Sequence, residues 1–278
     1  VPSDTMAHLA QFCPVSPGTT ALHIAQHRVR EKNFARQHGI LTPDFWHVTD
    51  AASLHHAMDA LQGRGVLKTC QLGYDGKGQI WINPGDDLDA SFAALGSDDA
   101  ILEAAVDFAA EASFLVARTA DGRIAHFPAS LNTHQNGILA RSMAPAEINE
   151  QLVTSGQEAV QTLAEAMELV GLLALETFVT TNGTLLFNEI APRPHNSFHW
   201  TIEGCATSQF TQLARCLAGM HLGSTENYGC WQMDNLLGED MPGLEKLVAE
   251  PGLHLHLYGK ASAKSGRKMG HTNRLVKP

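Results

Sequence analysis

The sequence predicts a mixed α+β (α/β) fold of more than one domain. Three observations predict it. Helix-period and strand-like apolar segments alternate along the chain, a hairpin places two glutamates opposite each other, and a glycine-rich loop follows a strand. The length of 278 residues gives a prior of about two domains. At 44% apolar and 17% charged, the chain can bury a sizeable core, which excludes a disordered tail or a small stapled scaffold.

Taken in order, residues 21–38 read as one helix ended by Gly39. Residues 66–69, 79–82, 112–118 and 123–127 read as strands. Val160, Leu163, Met167 and Val170 recur at helical spacing, with Gly171 past the end. Phe210, Leu213 and Leu217 repeat the pattern before Gly219. Residues 83–85 and 219–243 read as linkers, rich in Gly and polar residues.

Residues 172–190 are the most informative segment. Two apolar, β-branched runs flank Asn182-Gly183, a strong hairpin signal. A two-residue loop sets Thr181 against Thr184, Val179 against Leu186, Phe178 against Phe187 and Glu176 against Glu189. Directly opposed carboxylates repel. A divalent cation such as Mg²⁺ is the natural compensation. An exposed edge pair and a general acid/base dyad are the alternatives. Pro192 and Pro194 then stiffen a segment that presents Arg193, His195 and Asn196 near the carboxylates, suited to a second anion.

The strand ending in Lys68 leads into Gly73, Tyr74, Asp75, Gly76, Lys77, Gly78 and Gln79. Such a loop lets backbone amides approach phosphates. The spacing is neither a Walker A nor a dinucleotide fingerprint, and a plain hairpin turn is the other reading. Glu103 to Val106, with Glu111 beyond, could read an adenine edge and ribose hydroxyls, although exposed acids are the default.

Acids outnumber bases 29 to 19, a poor balance for binding nucleic acid. The charge is uneven. Residues 80–117 hold eight acids and no Lys or Arg; residues 251–278 hold six bases and no acid. The basic end reads as a solvated face or a local phosphate site. No apolar run approaches the roughly 18 residues of a membrane span, and no basic-then-apolar leader opens the sequence. Five cysteines without C-x-x-C spacing fit a reducing cytoplasm; each reads as a small buried hydrophobe, and a cysteine zinc site is not expected. His195 with His199 and His254 with His256 could pair on a metal, but they read as structural or surface residues.

Together these pieces resemble the ATP-grasp enzymes, and within them the N5-carboxyaminoimidazole ribonucleotide synthetase family of purine synthesis. The resemblance runs over about residues 21–273. It is carried by GYDGKGQ at 73–79, NEIAPRPHNS at 188–197, TSQF at 207–210 and GRKMGH at 266–271. It implies an ATP-grasp fold with most of the N-terminal Rossmann-like pre-ATP-grasp domain absent. Residues 1–45 would then be that domain's tail and a connecting helix, 46–111 the small lid subdomain, 112–222 the large subdomain and 223–278 a small C-terminal β-rich domain.

The resemblance further implies an ATP site of Arg28, Lys68, the Gly73–Gln79 loop, Glu103, Ala104, Ala105, Val106, Glu111, His134, Asn188 and Glu189. Glu176 and Glu189 would hold Mg²⁺ or Mn²⁺. Lys68, Arg193, His195 and Asn196 would be catalytic. Lys260, Arg267 and Lys268, with His195 and Asn196, would bind 5-aminoimidazole ribonucleotide. The implied reaction carboxylates that ribotide with ATP and bicarbonate through carboxyphosphate, in a cytoplasmic homodimer. The sequence departs from the family at Phe198, where Gly is usual and a phenyl ring is expected to crowd the substrate or alter the loop, and at His27, where an acid is usual. A non-catalytic nucleotide-binding remnant and a carboxylase with another acceptor are the rival readings.

Overall fold

The computed structural model describes residues 3–71, 73 and 78–277. In chain order its elements are α1 (Ser3–Leu9), α2 (Thr19–Ala25), α3 (Arg28–Gln37), β1 (Phe45–Val48), α4 (Ala51–Leu61), β2 (Gly65–Thr69), β3 (Gln79–Ile82), α5 (Leu88–Leu95), β4 (Ala100–Ala104), β5 (Phe108–Arg118), β6 (Ile124–His126), β7 (Ser130–Gln135), β8 (Ile138–Ala144), α6 (Glu150–Ala166), β9 (Gly171–Thr180), β10 (Leu185–Ala191), α7 (Thr201–Gly204), α8 (Gln209–Leu217), β11 (Cys230–Leu237), α9 (Leu244–Val248), β12 (Leu253–Leu257) and β13 (Lys268–Lys277).

Two antiparallel sheets organise these elements. The first has four strands in the order β1-β4-β2-β3. Helices α4 and α5 cover one face of it, packing Leu54, Ala57, Leu88 and Phe92 against Val48, Leu67, Ile82 and Leu102. Local chemistry starts both helices. Asp50 and Ser53 form a reciprocal capping box on α4, and Asp87 accepts from the Ala90 amide at 3.0 Å on α5.

The second sheet has nine strands. Eight follow the order β10-β9-β5-β7-β8-β11-β13-β12, and β6 pairs with β5. One face packs on α2, α3 and α6 through Ile24, Ala35, Val160, Leu163, Phe114 and Phe187. The other packs Leu115, Leu172, Phe198, Trp200 and Trp231 together with Cys216 of α8. The C-terminal strands continue this sheet, because β11 pairs with both β8 and β13. No helix among the described residues is long and apolar enough to cross a membrane.

Several sequence expectations are corrected. The single helix over 21–38 is two, α2 and α3, broken at Gln26 and His27; His27 has extended backbone (φ −144°, ψ 116°). Helix α6 ends near Met167. Glu168 turns left-handed at φ 50°, so Val170 lies outside the helix. Helix α8 forms as expected, yet Phe210 and Leu217 face solvent while Gln209, Gln212 and Cys216 are buried. The polar face is the buried one because Gln209 and Gln212 satisfy backbone groups of His195 and Gly223. Residues 219–243 are no linker, since they contain β11.

The β9–β10 hairpin differs in a way that matters for the site. Its loop has three residues, closed by Gly183 N–H donating to the Thr180 carbonyl at 3.0 Å and the Thr180 N–H donating to the Thr184 carbonyl at 2.9 Å. Gly183 supplies the left-handed φ of 77° that such a loop requires. The ladder therefore starts one residue off the two-residue register. Val179 faces Leu185, Phe178 faces Leu186 and Thr177 faces Phe187. A bulge at Asn188 then adds one residue and restores Glu176 opposite Glu189. The expected Phe178–Phe187 pair does not form. Phe187 is in the core, and Phe178 stacks on Phe108 with centroids 4.9 Å apart.

Candidate active site

A cavity of about 780 Å³ opens between the two sheets. Its walls gather residues from β2, β4, β5, β7, β9, β10, the segment 193–196 and the start of β13. Of the residues singled out in the sequence, Arg28, Lys68, Gly73, Gln79, Glu103, Ala104, Ala105, Val106, Glu111, His134, Glu176, Asn188, Glu189, Arg193, His195, Asn196 and Lys268 line it. Gly78 sits just outside, its amide carbonyl accepting from Thr69 at 2.9 Å. Tyr74, Asp75, Gly76 and Lys77 lie outside the described residues.

Lys260 and Arg267 are not among the lining residues. The Lys260 ammonium donates to the Lys268 carbonyl at 2.5 Å, and Arg267 donates to Ser262 Oγ at 2.9 Å. Of the three cations expected to bind the ribotide, only Lys268 faces the cavity, and the two expected to hold its phosphate, Lys260 and Arg267, do not. The other two are drawn into a local loop by hydrogen bonds between near neighbours.

Four clusters define the electrostatics. The first is the carboxylate pair. Burial, and then the Glu189 charge, push the Glu176 carboxyl up to about 7. Glu189 moves the other way. Burial opposes its charge, but Arg28, 3.3 Å from its Oε2, and other cations outweigh that and hold its pKa below the usual range. Burial and a neighbouring like charge thus raise one carboxyl, while nearby cations lower the other.

The second cluster is Glu103, which is buried. Its Oε2 accepts from the Lys68 ammonium at 2.9 Å and stands 3.5 Å from the Lys32 ammonium. Against the cost of burial, Lys32 and Lys68 hold its carboxyl down at about 2. The side chain is thus committed to cations, and what this segment offers a ligand is its backbone. There the Ala104 and Ala105 amides are spent on the carbonyls of Asp44 (2.8 Å) and Arg64 (2.9 Å).

The third cluster is His134 Nδ1 with Glu111 Oε2 at 2.7 Å. Burial would lower the His134 pKa, yet Glu111, and behind it Glu176, raise it. Strands β7 and β8 deliver His134 through an Asn136-Gly137 turn with both residues at positive φ.

The fourth cluster is His195, whose Nε2 lies 3.3 Å from Glu176 Oε1 and whose Nδ1 lies 2.8 Å from Ser197 Oγ. Burial and the neighbouring Arg193 push its pKa down to about 3, so the imidazole is neutral and its contact with Glu176 is no ion pair. Gln209 locks the segment, accepting from the His195 amide at 2.8 Å and donating to its carbonyl at 2.9 Å. Next to it, Asn196 Nδ2 is buried without a hydrogen-bond partner. A buried orphan donor on a cavity wall is a group prepared for a ligand.

Phe198, expected to crowd this site, is fully buried in the core beside Trp200 and is not among the lining residues. Sequence reasoning missed Glu31 and Lys32, both buried on α3. Adjacent charges on a helix read as solvated, and no local pattern marks them as interior. It also missed Phe108, which lines the cavity between the predicted residues.

A cavity between two antiparallel sheets, walled by paired carboxylates and a glycine-flanked strand, defines an ATP-grasp protein. The ATP-grasp domain model matches residues 33–210, and the model described as phosphoribosylaminoimidazole carboxylase C-terminal domain matches residues 232–277. The chain belongs to the N5-carboxyaminoimidazole ribonucleotide synthase family. It is 44% identical over 280 residues to the family member of Brucella melitensis, covering all of this chain and 77% of that protein. It is 44% identical over 271 residues to that of Pseudomonas aeruginosa, covering 98% of this chain and 74% of the relative. Among solved structures, the Thermus thermophilus synthetase superposes with a TM-score of 0.92 at 38% identity, covering all of this chain and 75% of the other. The Aspergillus clavatus enzyme in complex with ADP and 5-aminoimidazole ribonucleotide superposes with a TM-score of 0.93 at 26% identity, again over all of this chain and 75% of that one.

Proposed function

We propose that this chain carboxylates 5-aminoimidazole ribonucleotide on its exocyclic amine, using ATP and bicarbonate and releasing ADP and phosphate. The observation that carries this reading is the single cavity that joins the Glu176–Glu189 pair to the His195–Asn196 segment, with cations on both sides. The Aspergillus relative, with ADP and the ribotide bound, supports a site of this shape holding both molecules.

Residues 46–111, 112–222 and 223–278 would serve as lid, large subdomain and C-terminal region. Arg28 and Lys68 would meet the ATP phosphates, while the segment 103–106 would lie along the adenine. Glu111, already bonded to His134, would reach the ribose. Two facing, buried carboxylates are hard oxygen donors suited to Mg²⁺, and the Glu176 pKa, raised by burial and then by the Glu189 charge, supports a cation there. Glu176 and Glu189 would hold that ion, which neutralises charge on the transferring phosphoryl group. Neutral His195 and the orphan amide of Asn196 would orient bicarbonate and the aminoimidazole, with Arg193 balancing their charge. Lys268 would face the ribotide phosphate. Catalysis on this reading is chiefly positioning and charge neutralisation. A homodimer and bicarbonate as carbon source belong to the same proposal.

The test is ADP release with Mg-ATP and bicarbonate, with and without 5-aminoimidazole ribonucleotide. Stimulation by the ribotide is expected. Nucleotide binding without stimulation would favour a non-catalytic nucleotide-binding role, and stimulation only by a different acceptor would favour another carboxylase.

A further inference from the structure

Away from the cavity wall, four side chains from four separate elements converge: His27 at the N-cap of α3, His47 on β1, Cys70 just past β2, and Asp99 just before β4. One donor atom from each lies within 4.8 Å of every other. His27 Nε2 is 3.1 Å from Asp99 Oδ2, and His47 Nε2 is 2.9 Å from Asp99 Oδ1. In a tetrahedral zinc site with bonds of ~2.0–2.3 Å, ligand atoms stand ~3.3–3.8 Å apart, so four donor atoms all within 4.8 Å of one another need only small side-chain adjustments to close on an ion, with one of the two Asp99 oxygens as ligand. We propose that His27, His47, Cys70 and Asp99 form a site for a single tetrahedral divalent ion of the zinc type, which ties the start of α3 to one end of the four-stranded sheet.

The ligand set suits that chemistry. One thiolate, two imidazoles and one carboxylate form a borderline-soft site that favours zinc over magnesium. Cys70 and His27 are buried and form a fixed wall, whereas His47 and Asp99 are open enough to let an ion approach. The backbone is already braced there, with the Arg28 amide donating to the Cys70 carbonyl at 3.0 Å. Burial lowers the His27 pKa below the ordinary value against the pull of Asp99, which favours the neutral ring that ligation needs. Without metal the Nε2–H donates to Asp99; metal on Nε2 would replace that bond and move the ring proton to Nδ1, which is buried with no partner. The Cys70 thiol is held protonated by burial and by Asp99. Binding therefore forms the metal–sulfur bond as one proton leaves the thiol for solvent. Without metal the same groups are an Asp99-centred hydrogen-bond cluster, joined by Gln71 at 3.4 Å.

The inference does not rest on the proposed reaction, because its readout is spectroscopic. The full chain, stripped with chelator, is titrated with Co²⁺ in excess Mg²⁺, which holds the all-oxygen site. One equivalent should produce a near-ultraviolet thiolate-to-cobalt band and strong four-coordinate visible bands, both erased by Zn²⁺. Cys70→Ser should abolish the thiolate band. His47→Ala, at a half-exposed position that does not threaten folding, should weaken Co²⁺ binding more than about tenfold, a loss that even an outer-shell partner can cause. No thiolate band in the wild-type chain, a band that survives Cys70→Ser, or affinity unchanged in His47→Ala would each overturn the site and leave the hydrogen-bond cluster.

Discussion

The Lys32 ammonium, fully buried on α3, donates to the Asn188 carbonyl at 2.8 Å while standing 3.5 Å from Glu103. Asn188 belongs to the nine-stranded sheet and Glu103 to the four-stranded one. A single side chain therefore spans both, at the bulge that sets the register of Glu189. Lys32→Met keeps the aliphatic volume but strands the carbonyl and removes one partner of Glu103. A loss of about 3 kcal/mol is expected, in the range for breaking a buried ion pair. Chemical denaturation measures it, and an unchanged midpoint would mean that the ammonium does not tie the sheets together.

Glu189→Gln should abolish Mg²⁺-dependent ADP release while the fold remains intact by circular dichroism. The amide keeps the shape but surrenders the charge that both Arg28 and a cation require. Retained turnover would remove Glu189 from the metal assignment.

Glu176 sets a pH dependence in the metal-free protein. Its folded pKa of about 7 lies above the ordinary 4.5, so the folded state holds the proton more tightly than the unfolded state. The resulting stabilisation is complete below pH 4.5 and is lost as pH rises through about 7. On the order of 3 kcal/mol should disappear over that window, at 1.36 kcal/mol per pKa unit. Glu176→Gln mimics the protonated form and should lack this slope. Denaturation curves at several pH values, wild type against variant, isolate it from Glu31, whose similarly raised pKa is common to both.

Phe198→Ala tests whether this ring belongs to the core or to the site. Its complete burial beside Trp200 predicts a cost of about 3–5 kcal/mol from the cavity left behind. The KM for the ribotide should stay unchanged. A lower KM with little loss of stability would return Phe198 to the substrate side.

Gly156 lies where α6 crosses β5. A Cβ there would fall 2.2 Å from Phe114 Cζ, inside a ring with no room to retreat. Gly156→Ala should therefore destabilise by about 1–3 kcal/mol, overcoming a helix-propensity gain of about 1 kcal/mol. Thermal unfolding decides the sign.

Local pattern was enough for much of this molecule. Strand β3 falls where its short apolar run placed it, β2 and β5 need only extension at their ends, and α8 stands where its apolar spacing put it. The opposition of Glu176 and Glu189 was legible too, although by two offsetting departures. The three-residue loop moved the register by one, and the Asn188 bulge moved it back. The split between α2 and α3 was not legible, because His27 is held extended beside Asp99 and Cys70, which lie far away in sequence.

The sequence by itself determined the types of residue that line the cavity, the hairpin that pairs the carboxylates, and the family. Each of these is written in short runs whose chemistry depends on near neighbours. Only the tertiary structure decided which charges are interior, why Lys268 and not Lys260 or Arg267 faces the cavity, and that Phe198 fills the core. It also decided that two histidines, a cysteine and an aspartate meet without any spacing motif. Burial and convergence depend on strand order and sheet packing over long sequence separations. A charged residue on a helix carries no local mark of which neighbour will cover it.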